Sequence, residues 1–238
     1  MTNTMPNKAK ALIGMVAVAS LCPVSFGVIN WHTPAWPQLA VLMFAAVLTS
    51  RLKVKLPGMT STMSGNLPVI LLGVTQFGLF GSLLVAFTAA IAQSFGSGKQ
   101  IKAVQFLFNT CTLMNACGLA YLAYHSRLFA AYESGPALAL ILAAALYFLA
   151  NTAPVAGIIG LTENSNPFTL WHKVFLWSFP NYVIGAGLTA IASLFTATGL
   201  ATIATLMAVL FGVYKSYKMY VDRAEEGQHK AFAMAAGH

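Results

Sequence analysis

Long apolar runs separated by short polar gaps fill this chain, and twelve of its thirteen Lys and Arg residues fall in alternate gaps. The basic groups are Lys8 and Lys10, Arg51 with Lys53 and Lys55, Lys99 and Lys102, Lys173, and the stretch from Lys215 to Lys230. Arg127 alone lies in an intervening gap. Cations held on one side of successive apolar segments orient helical membrane proteins, and here they put both termini on the cytoplasmic face. The expected fold is an all-α, polytopic transmembrane helical bundle of six to eight membrane segments.

Composition points to the same solvent. Of the 238 residues, 58% are hydrophobic and 8% charged, whereas roughly a quarter of a soluble domain is charged. A net charge of +8 would suggest nucleic acid in a soluble protein. Beside apolar segments, the same cations instead meet anionic lipid headgroups, so the bilayer is the expected partner and nucleic acid is not. Lys8 and Lys10 before an apolar run superficially resemble a signal peptide. No A-x-A-like cleavage site follows, and residues 11–29 reach spanning length, so the run is read as a retained first helix.

Eight apolar segments can be drawn: Ala11–Ile29, Pro37–Ser50, Asn66–Gly78, Gly81–Phe95, Ala103–Tyr124, Pro136–Leu161, Val174–Thr198 and Leu200–Tyr214. The third and fourth are short for a ~30 Å core, which takes about 20 helical residues. They read either as a tight helical hairpin or as a re-entrant piece followed by one span. Between the second and third lies a turn-rich polar stretch, Leu56 to Gly65, without helical periodicity. His125, Arg127 and Glu133 mark an outer loop, and Glu163 to His172 an inner one. Pro154 removes a backbone donor from the sixth segment. Beyond Tyr214, the spacing of Tyr217, Tyr220 and Val221 carries the helix pattern onward. The resulting organisation is a cytoplasmic N-terminal tail (1–10), a transmembrane bundle (11–214), and a cytoplasmic exit helix with a mobile tail (215–238).

Residues able to carry chemistry are few. Every Asp, Glu, Lys and Arg can be placed at a segment end or in a loop, which argues against a proton pump, ion channel or voltage sensor. Cys22, Cys111 and Cys117 form no CxxC, and no histidine pair has ligand spacing, so neither a metal site nor a cofactor is expected. No nucleophile motif suggests an enzyme. The polar residues within segments are Asn66, Gln76, Gln93, Asn109, Asn115, Asn151 and Asn181. Interhelical hydrogen bonding is the default role of such amides. If a ligand pocket exists, Asn109, Asn151, Trp177 and Asn181 are its candidate residues. The aromatic set Trp171, Phe175, Trp177 and Phe179 reads first as an interfacial belt.

Several stretches taken in order resemble the membrane-associated sensor (MASE-like) regions that precede HD-GYP or GGDEF domains in bacterial cyclic-di-GMP signalling proteins. They are Leu56-Pro-Gly-Met-Thr-Ser-Thr-Met-Ser64 with the apolar run to Gly81, Val104-Gln-Phe-Leu-Phe-Asn109, Phe148-Leu-Ala-Asn-Thr-Ala-Pro-Val-Ala156 with Leu161-Thr-Glu163, Phe175-Leu-Trp-Ser-Phe-Pro-Asn-Tyr182, and the exit stretch Val213 to Glu226. The resemblance implies a bacterial inner-membrane, multi-pass, non-enzymatic sensory or scaffolding module. Its output helix would carry Tyr217, Tyr220, Asp222 and Arg223. Implied partners are a second copy, giving a homodimer, and a separate cytoplasmic signalling protein. The chain departs from the family pattern at His238, where a catalytic domain would begin. The alternative expectation is the substrate-binding component of a small-molecule, vitamin-like membrane transporter.

Overall fold

The computed structural model describes residues 5–31, 35–51, 53–55, 62–95 and 102–194. The expected segment Leu200–Tyr214 and the output residues Tyr217, Tyr220, Asp222 and Arg223 lie outside these residues. Apolar character and continuous backbone hydrogen bonding make helices of most of the rest. They are α1 (Asn7–Ile29), α2 (Trp36–Arg51), α3 (Leu67–Gln76), α4 (Leu79–Phe95), α5 (Ala103–Tyr124), α6 (Gly135–Thr162), α7 (Pro167–Leu170) and α8 (Phe179–Leu194). Three of the helical stretches are long and apolar enough to cross a membrane: α1, α6, and α5 with its short 3-10 extension to Phe129. The protein is a helical membrane protein.

Helix α3 explains the two short segments in the middle of the sequence. Its ten residues rise only about 15 Å, half the hydrocarbon thickness. Leu67 through Val74 are all buried, as expected of a helix that is apolar all round. It packs among α2, α4, α5 and α8. Phe77 and Gly78 then turn the chain into α4, a 17-residue helix. The Ser82 hydroxyl pins this turn, lying 3.1 Å from both the Gly73 and the Gly78 carbonyl oxygens. A half-length helix, a two-residue turn and a longer helix make up the region.

Close approach elsewhere depends on missing side chains. A Cβ at Gly185 of α8 would lie 2.7 Å from the Leu67 side chain, and one at Gly118 of α5 would lie 2.5 Å from the Pro23 ring. Polar groups tie the same pairs together. The Thr189 hydroxyl is 3.2 Å from the Pro68 carbonyl, linking α8 to α3. Asn115 Nδ2 donates to the Val16 carbonyl at 3.0 Å, linking α5 to α1. The outer face of α1 presents exposed Met15, Val18, Leu21 and Ile29, a surface suited to lipid. At the end of α1, Trp31 stacks on Phe80 with ring centroids 4.7 Å apart.

One local finding adds to the sequence reading and a second corrects it. The turn-rich stretch after α2 carries a short antiparallel ribbon, β1 (Lys53–Lys55) with β2 (Thr62–Ser64), in the register Lys53 to Ser64. Three-residue strands are too short for alternation to show in a sequence. The inner loop is also shorter than Glu163–His172. Asn164 takes a left-handed conformation (φ 54°), and Ser165 N–H reaches back to the Gly160 carbonyl at 2.9 Å. This is a Schellman termination of α6. Asn166 then caps a new helix, its side-chain oxygen accepting from Phe168 N–H at 2.9 Å, with Pro167 in the first turn where its missing donor costs nothing. The chain continues through a π turn (Trp171–Phe175) and a 3-10 turn (Leu176–Ser178) into α8.

Candidate functional site

The site is built on two antiparallel helices, α6 and α8. On α6, Leu140 and Ala144 lie four residues apart and so on one face, with Tyr147 and Asn151 continuing it. On α8, Phe179, Tyr182, Ala186 and Ala190 form the corresponding face. Between them runs an apolar groove of about 270 Å³, lined on α6 by Ala137, Leu140, Ile141, Ala144 and Ala145, and on α8 by Phe179, Tyr182, Val183, Ala186, Gly187 and Ala190. Five alanines and one glycine keep its floor low, while Ile141 and Val183 at its rims are exposed.

One end of the groove is closed by packed aromatic rings. Phe148 sits at their centre, its ring centroid 4.9 Å from Tyr182, 5.3 Å from Phe179 and 5.8 Å from Trp171. Two side-chain hydrogen bonds fix these rings to α6. Asn151 Nδ2 donates to the Tyr182 hydroxyl oxygen at 3.1 Å, and Trp171 Nε1 donates to Thr152 Oγ1 at 2.9 Å. Thr152 in turn donates to the Phe148 carbonyl at 2.7 Å, so the second bond is one step of a chain. Tyr147, 2% exposed, places its ring 6.2 Å from that of Tyr182.

Of the residues singled out from the sequence, Asn151 reaches this site and Asn109 does not. Asn109 is exposed on α5 and takes no part in the groove lining. Its turn packs toward α1, where neighbouring Phe108 and Cys111 meet Val16. Trp177 and Asn181 belong to the 3-10 turn and the first turn of α8; their side chains lie outside the described residues. Trp171, read from the sequence as part of an interfacial belt, hydrogen-bonds its indole N–H to Thr152 of α6. Sequence reasoning also missed Tyr147 and Tyr182. The available signal was the four-residue spacing of Tyr147 and Asn151, which puts two polar groups on one side of an otherwise apolar helix.

Chemically, this arrangement can hold an apolar body in a trough and offer hydrogen bonds at its closed end. Among the described residues, no three His, Cys, Asp or Glu side chains converge to ligate a metal. Fold and site together define a helical membrane protein with an apolar groove between two of its helices. No protein-family model matches the chain, and neither a curated protein nor a solved structure matches it significantly.

Proposed function

We propose that this chain is a non-enzymatic, multi-pass input module of a bacterial inner membrane, sensory or scaffolding in role, with both ends cytoplasmic. The resemblance to membrane-associated sensor regions supports this reading. The observation that carries it is the position of the groove between α6 and α8, two helices that pack against each other. Occupancy there acts on the separation and rotation of the two helices. Such a ligand shifts the module only to the extent that it binds two arrangements with different affinity.

The elements around the groove are suited to two arrangements. The approach to α8 contains a π turn followed by a 3-10 turn, departures from α geometry that often accompany functional hinges. Opposite it, α6 carries Pro154, which leaves one carbonyl without its usual amide partner. Motion at α8 would pass to the residues that follow it, where Tyr217, Tyr220, Asp222 and Arg223 form the proposed output stretch. The partner in that scheme is a cytoplasmic signalling protein, or a second copy of this chain.

A reporter diguanylate cyclase fused after His238 tests the reading. Insertions of one to four residues beside Tyr220 rotate whatever follows by about 100° each. The expected result is output that rises and falls with insertion length. Output indifferent to all four insertions would sink the proposal.

A further inference from the structure

We propose that an anionic glycerophospholipid occupies a crevice between α1 and α4, at the end of the bundle that carries the N-terminus. The proposal goes beyond the sensory reading and needs only that the helices lie in a bilayer.

The crevice follows from how exposure changes along the facing sides of three helices. At the end away from the N-terminus, α1 and α4 touch. A Cβ at Gly27 would lie 3.2 Å from the Leu83 side chain and 3.4 Å from the Phe80 backbone. From that contact the two helices part. Leu83, Phe87 and Phe95 share one side of α4, and their exposure climbs from 3% through 39% to 79%. On α1, Val24 packs against the main core. Ala17 and Ile13, further down the same side, are half-buried, and Lys10 is exposed. Helix α5 packs on both and forms the floor. Its Phe108 and Cys111 meet Val16 of α1, and its Phe106 ring lies 6.3 Å from that of Phe95 on α4. At 100° per residue, Gln105 and Asn109 fall between those two directions. Both are exposed, whereas Thr112 and Ala116, higher on the same side, are buried. The opening therefore closes just above Asn109.

Two features select the occupant. The first is the pair of amides, which lie about 5 and 10 Å from Lys102 along the helix axis. Neither side chain has a hydrogen-bond partner among the described residues. An amide facing hydrocarbon alone is costly, so the occupant brings acceptors to this depth. The ester carbonyls of a glycerophospholipid, just below its phosphate, accept from such N–H groups. The second feature is charge. Lys10 at the mouth and Lys102 at the foot of α5 are exposed, and α1, α4 and α5 carry no Asp or Glu. Two ammonium groups without a carboxylate suit a phosphate, and a headgroup of net negative charge best of all. The apolar walls at Ala17 and Phe87 then take an acyl chain, for which a free phosphate has no counterpart.

The test uses the full chain in phosphatidylcholine nanodiscs containing a trace of photoreactive lipid. Phosphatidylglycerol and phosphatidylcholine probes carry a diazirine on the same acyl chain. Crosslinks are mapped by mass spectrometry, and yield at Ala17 and Phe87 is divided by yield at Ile141, an exposed residue of α6. This ratio is expected to be several-fold higher for phosphatidylglycerol. Lys10→Gln and Lys102→Gln should each lower it about fivefold, the worth of one cation beside anionic lipid, and leave the phosphatidylcholine ratio unchanged. Asn109→Leu should lower both ratios about fivefold, as for one net hydrogen bond. All three side chains are exposed, so these variants should fold. Equal ratios for the two lipids would overturn the inference, as would ratios indifferent to Asn109→Leu. Crosslinks joining two copies through α1 or α4, without lipid label, would assign the crevice to a second copy. Reaction of Asn109→Cys with a water-soluble maleimide would assign it to water. Either result refutes the lipid.

Discussion

Gly118 and Gly187 are both helical glycines, yet they face opposite conditions. A methyl group at 118 would sit 2.5 Å from the Pro23 Cβ, and the proline ring has no rotamer with which to withdraw. Helices α1 and α5 must then separate, an overpacking cost of about 1–3 kcal/mol. A methyl at 187 meets nothing, and alanine is the better helix former by up to about 1 kcal/mol. Gly118→Ala is expected to lower the thermal midpoint of the purified protein in micelles, and Gly187→Ala to leave it unchanged or raise it. The reverse order would mean that the α1–α5 contact is not as described. At this scale the sequence was partly legible. It displays Gly118 between Ala116 and Ala120, small residues that permit close helix approach. It could not reveal that Pro23, ninety-five positions earlier, is what approaches.

Helices show a similar division. Apolar run length located α1, α5 and α6 to within a few residues, because each is read against the thickness of one solvent. The failures came where local hydrogen bonding, not apolar length, fixes the boundary. The Asn164 turn and the Asn166 cap begin a helix inside what reads as a polar loop. The site was less legible than the fold, since it arises from side chains brought together across α6 and α8. Asn151 was visible as a polar residue in a span, but its partner Tyr182 was not. The bond between Trp171 and Thr152 provides a test at this scale. A double-mutant cycle of Trp171→Phe and Thr152→Val should give a coupling of about 0.6 kcal/mol, and no more than about 1.7, as for polar pairs between membrane helices. Coupling indistinguishable from zero would remove Trp171 from the α6 contact.

For the whole molecule, the proposed orientation rests on charge placement and is tested by accessibility. Cys111 and Cys117 are buried, and Cys22 is on the exposed face of α1 suited to lipid, so none should react with a charged, membrane-impermeant maleimide in intact cells. This near-silent background allows introduced cysteines to report. Arg127→Cys is expected to label from outside. Lys173→Cys, in the π turn before α8, should label only after the membrane is permeabilised. Labelling of Lys173→Cys in intact cells would invert the proposed orientation and place the output stretch on the wrong face.

The burial of α3 on every side has a consequence for biogenesis. A ten-residue helix is too short to lodge across the bilayer when it leaves the ribosome. Its cover includes α8, whose Thr189 reaches the Pro68 carbonyl across 121 positions of sequence. Until α8 is made, α3 has only α2, α4 and α5 as cover, and its remaining side stays open while more than a hundred further residues are added. The arrival of α8 closes that side and completes the packing around α3.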